Sequence, residues 1–184
     1  QQAVSDGATV DVAHSLGRGI FRGDVSGDIS VGSGQSDDGA NLLLVAGNLD
    51  ASTGGDTDID INGRLSRINV RGNLTGNAAT TGPGTPDVSA RSLGSIAVRG
   101  NVSDAEIDVA DDTGNVLVSG DYSNSHIKTG RMGRVRLFGG VSGSSGDGVS
   151  SRGDDYPLLA QGRWRRVEPG NPVNIGAVSF DTNA

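Results

Sequence analysis

Cysteine is absent from the 184 residues, which excludes a disulfide framework, a thiolate nucleophile and any Cys-based metal site. Aromatic residues make up 3% and hydrophobic residues 34%, so a thick globular core is excluded. What core there is must be thin and built from Val, Ile, Leu and Ala. Proline occurs only 5 times against 31 Gly, which speaks for many tight turns and against a linker or a collagen. No apolar run approaches the ~18–20 residues that a membrane-spanning helix needs. Positive charge is also short: 15 Lys and Arg against 22 Asp and Glu leave −7, which argues against nucleic acid as a partner. The chain opens Gln1-Gln2-Ala3, without Met or a charged leader. That opening suits a secreted protein whose signal peptide has been removed.

What is present is a repeat. Anchor glycines fall at Gly23, Gly47, Gly72, Gly100, Gly120 and Gly139, spaced by 24, 25, 28, 20 and 19 residues. Two residues before each anchor stands Phe21, Val45, Val70, Val98, Val118 or Leu137, and two earlier again Leu43, Ile68, Ile96, Val116 or Val135, with Gly19 the exception. Two residues after each anchor comes Val25, Leu49, Leu74, Val102, Tyr122 or Val141. A second short alternating run follows in each unit: Ile29/Val31, Ile59/Ile61, Val88/Ala90, Ile107/Val109, Ile127/Thr129 and weakly Val149/Ser151. A period of two means strand with one buried face. The anchor glycine is expected to turn a corner at positive φ.

Repeats of this length with two strands and no helical period predict an all-β chain, a parallel β-solenoid (β-helix) of about six to seven coils, right-handed by the crossover rule. The run Leu93-Gly-Ser-Ile96-Ala-Val98-Arg-Gly-Asn-Val102, with relatives at 65–74 and 132–141, resembles repeats of large secreted β-solenoid proteins of environmental bacteria, planctomycetes among them. The expected organisation is a solenoid with an N-terminal half-coil over 1–151, an irregular flap or contact segment over 152–172, and a C-terminal half-coil strand over 173–184.

Two columns of polar residues follow from the alignment. Asp24, Asn48, Asn73, Asn101 and Asp121 come directly after successive anchors and predict a structural corner ladder of stacked side chains. Asn73-Leu-Thr75 and Asn101-Val-Ser103 also read as glycosylation sequons. Asp28, Asp58, Asp87 and Glu106, then His126, precede the second strand. Arg22, Arg71 and Arg99 are expected to offset them on a solvated, mixed-charge face. The alternative for the acids is a Ca2+ between coils, although no ligand spacing is diagnostic and no other cofactor is implied. Insertions over 50–57, 75–86 and 142–148 read as solvated loops at one corner.

The paired acids Asp37-Asp38, Asp111-Asp112 and Asp154-Asp155 are adjacent loop residues, a poor basis for a polysaccharide-acting β-helix enzyme. The segment 152–172 holds Trp164 and the basic run Arg163 to Arg166, with Trp164 and Arg165 as contact residues for an acidic neighbour. Ile175, Val178 and Phe180 copy a first strand, while Val10 and Val12 copy a second. Two half-repeats and no capping helix predict a homopolymer joined head to tail by strand addition, an extracellular or cell-surface filament subunit without enzymatic activity. A module of a larger surface adhesin, with cell-surface or glycan contacts, is the alternative.

Overall fold

The computed structural model describes residues 8–32, 38–51, 59–77, 87–142 and 148–151. Among them are fifteen strands and no helix: β1 (Thr9–Val12), β2 (Ser15–Phe21), β3 (Asp28–Val31), β4 (Gly39–Val45), β5 (Leu49–Asp50), β6 (Ile59–Leu65), β7 (Ile68–Val70), β8 (Leu74–Thr75), β9 (Val88–Val98), β10 (Val102–Ser103), β11 (Glu106–Val118), β12 (Tyr122–Ser123), β13 (His126–Leu137), β14 (Val141–Ser142) and β15 (Gly148–Ser151). Every strand pairing is parallel. A ten-stranded sheet runs β1-β3-β6-β4-β7-β9-β11-β13-β15 with β2 beside β4, and a five-stranded sheet of two-residue strands runs β14-β12-β10-β8-β5.

The expectation of an all-β chain holds among the described residues, but the β-solenoid of six to seven coils is corrected. β4 pairs with both β6 and β7, and β9 pairs with the same two, so these four parallel strands close on one another as a barrel-like core. The remaining strands extend from it, and no clear stack of uniform two-strand coils is seen. The cause lies where the strands join. Gly39 and Ala40 of β4 pair with Arg64 and Leu65 of β6, while Leu43 to Val45 of the same strand pair with β7. One strand thus serves two neighbours, and β9, β11 and β13 each run through both apolar stretches of a repeat. A period of two reports which face is buried, not where one strand ends and its neighbour begins.

The core is as thin as the composition demands. Leu43, Ile68, Ile96, Val116 and Val135 stack across neighbouring strands, beside a second row of Val45, Val70, Val98 and Val118. All are at most 5% exposed. Burying each such side chain stabilises the fold by roughly 1.5–3 kcal/mol. β-Branched residues suit these positions because they pack well on a pleated surface.

The anchor glycines are also corrected. Among the described glycines only Gly32 has positive φ, at 100°. At Gly47, Gly72, Gly100 and Gly120 the reason is close approach: a Cβ would run into the preceding anchor's backbone and the Asx side chain beside it. The left-handed corners are taken instead by Asp104 (φ 53°) and Asn124 (φ 45°), residue types that tolerate that region.

Candidate functional site: an Asx ladder and an exposed sheet edge

The five Asx residues stand in one continuous chain of hydrogen bonds. The backbone N–H of Asn48 donates to Asp24 Oδ1 at 2.7 Å, that of Asn73 to Asn48 Oδ1 at 2.9 Å, and that of Asn101 to Asn73 Oδ1 at 2.9 Å. Asp121 N–H then donates to Asn101 Oδ1 at 2.9 Å, and Gly140 N–H to Asp121 Oδ1 at 2.7 Å. Each side chain satisfies a backbone donor of the following repeat. Beside the ladder run the outward hydroxyls of Thr75, Ser103 and Ser123, leaving a shallow polar groove. Asn73 and Asn101 are exposed, with their Oδ1 atoms held by the ladder.

The acidic column divides. Asp87 is buried at 4% exposure, and its Oδ2 accepts the Glu106 N–H at 2.6 Å. Burial pushes its carboxyl above the ordinary value, against backbone N–H groups that pull it down and helped by the neighbouring Glu106. Burial also raises Glu106, with Lys128 opposing and Asp108 adding to the rise. Asp28 and His126 lie in the same column, whereas Asp58 falls outside the described residues. Among the described residues no group of three or more His, Cys, Asp or Glu converges as a metal ligand set would.

The expected neutralisation of this column by Arg22, Arg71 and Arg99 does not occur. Among the described residues the ion pairs are His14 with Asp38 at 3.8 Å, Arg91 with Asp111 at 3.2 Å, Lys128 with Asp108 at 3.6 Å and Arg131 with Asp112 at 3.9 Å. Strand alternation puts the three arginines on the outside of the other stretch of the repeat, away from the acids. Asp111 and Asp112, once candidates for paired carboxylates, each hold an arginine.

Val10 and Val12 lie on β1, which pairs only with β3 among the described strands, and β2 likewise pairs only with β4. Val10, Val12, Leu16 and Phe21 pack on the core yet stay partly exposed, although Phe21 matches Val45, Val70, Val98 and Val118, each at most 2% exposed. Gly19, the odd residue in its column, is explained here. A Cβ there would meet the side chains of Leu43, Leu16 and Phe21, which close over the place a larger residue fills elsewhere. Trp164, Arg165, Ile175, Val178 and Phe180 lie outside the described residues, as do Asp37 and the Asp154-Asp155 pair. No helix among the described residues is long and apolar enough to cross a membrane. Comparison with protein-family models, curated proteins and solved structures gave no match to this chain.

Proposed function

We propose that the protein is a non-enzymatic structural subunit that assembles head to tail into an extracellular filament. The observation that carries this reading is the edge formed by β1 and β2. Val10, Val12, Leu16 and Phe21 stay partly exposed there, on strands with no second neighbour among those described. A strand with one open edge beside a half-covered core invites strand addition, because backbone hydrogen bonds and apolar burial are gained together. A second copy presenting Ile175, Val178 and Phe180 would supply a strand with the same alternation as β2. Trp164 and Arg165 would add anchoring contacts. Such a contact joins two different surfaces and, if the rotation does not close, extends indefinitely. In the alternative reading, an adjoining adhesin module covers the same edge within one chain.

The test is electron microscopy and light scattering of the full chain at rising concentration, beside a V10D/V12D double variant. Filaments from the wild type and monomers from the variant support the reading; wild-type monomers throughout overturn it. Fractionation of the producing cell addresses the extracellular part of the proposal.

A further inference from the structure

The outward side chains of β2, the second half of β4, β7, and the last stretches of β9, β11 and β13 lie in three rows. Register fixes the first as Arg18, Leu42, Arg67, Ser95, Asn115 and Arg134. The middle row is Ile20, Leu44, Asn69, Ala97, Leu117 and Arg136. The third is Arg22, Ala46, Arg71, Arg99, Ser119 and Phe138, aligned by backbone bonds such as Arg71 N–H to the Val45 carbonyl and Arg99 N–H to that of Val70. No carboxylate stands in any row, yet seven of the chain's 15 basic residues do, and all seven are arginine. None of the seven enters an ion pair among the described residues, whereas Arg91, Arg131 and Lys128, on other parts of the surface, each do. Among the described residues, a chain of net charge −7 therefore carries three rows in which every charged side chain is positive.

We infer that this face binds an extended acidic polysaccharide bearing carboxylates along its length. The two outer rows hold six of the seven arginines, flank a middle row that is apolar or neutral except for Arg136, and lie about 13 Å apart, four residues along a strand. Neighbouring strands repeat every ~4.8 Å along the rows. A linear polyanion laid along the middle row meets guanidinium groups on both sides. Arginine, unlike lysine, engages a carboxylate through two parallel hydrogen bonds, and its weaker hydration makes that pairing less costly. Nucleic acid fits the face less well. A flat sheet offers nothing to enter a groove, and a single exposed aromatic, Phe138 at one corner, is no stacking platform. The inference does not depend on head-to-tail assembly.

The experiment is affinity electrophoresis and titration calorimetry of the full chain with polygalacturonate, with neutral dextran, duplex DNA and anionic phospholipid vesicles alongside. Wild type is expected to bind polygalacturonate, to release it as salt rises, and to ignore dextran. Replacing Arg67, Arg71, Arg134 and Arg136 by Gln should weaken binding by at least about tenfold, since four of the seven guanidinium contacts are lost together. Should that variant misfold by circular dichroism, R18Q/R22Q tests the same face at its other end. Replacing Asp11 on β1 and Asp60 on β6 by Asn, two acids in register through Ser30 and outside the three rows, should leave binding intact. Unchanged binding in the arginine variants, or none in the wild type, overturns the inference. So does tighter binding of DNA or vesicles than of polygalacturonate, or association of the protein with itself through these arginines.

Discussion

Asp87 shows how one side chain can set a pH dependence. Its carboxyl is buried, and its folded-state titration lies above the unfolded value near 3.8, chiefly through burial. Folding therefore favours the protonated form. The stability contributed by that preference is complete below the unfolded value and is lost as pH rises through the folded one. In D87N the position is neutral at every pH, while the amide oxygen can still accept the Glu106 N–H. The melting temperature of D87N relative to wild type is therefore expected to climb as pH rises from about 3.8 toward neutrality. Calorimetric melts across that range test this, and a constant difference would refute it. None of this was legible in the sequence, where Asp87 was one acid in a column of similar ones. Its burial depends on its place directly before β9, at the end of the 75–86 insertion, and spacing does not encode that. The Asx column was visible because its residues hold a fixed place after a conspicuous glycine. The direction of its bonds, side chain of one repeat to backbone of the next, needed coordinates.

At the scale of strands, the glycines mark where neighbours come closest. A Cβ on Gly63 in β6 would land on the carbonyl oxygen of Asp38 just before β4, whereas one on Gly17 in β2 would meet nothing within 4 Å. G63A must therefore push apart the strands that close the four-strand core, while G17A need not move anything. Urea denaturation is expected to show G17A within about 0.5 kcal/mol of wild type and G63A destabilised by several times that, or unfolded. Equal effects would mean that this junction is not as tight as drawn. Both glycines look alike in the sequence. The anchor series was legible as a pattern but not in its cause, since the backbone there is unexceptional and the constraint comes from a chain segment 19–28 residues away. The same distance effect hid the joined strands. Alternation in Ile107/Val109 and Val116/Val118 predicted two strands, and β11 bridges them by a register shift between Val109 and Asp112.

For the whole molecule, alternation sorts charge by side. Among the described residues, acids gather outside one stretch of the repeat and arginines without an ion pair outside another, so net charge alone misleads about what the surface attracts. That sorting could have been found in the sequence by reading outward positions with the care given to inward ones, because Arg67, Arg71 and Arg99 keep fixed offsets from their anchors. The ladder carries a different lesson, about how such a chain can change in length. Each Asx meets a chemically equivalent neighbour, so excising residues 73–100 would bring Asn101 against Asn48 as Asn73 is now. The same cut removes β8 and β9, and with β9 one of the four strands that close the core. The shortened chain is therefore expected to melt far below wild type or without cooperativity, and a melt close to wild type would show that β11 takes the place of β9. The ladder tolerates a change of length that the strand closure does not. Growth past Gly140 is another matter: with no side chain to offer the next backbone donor, that residue acts as the ladder's full stop.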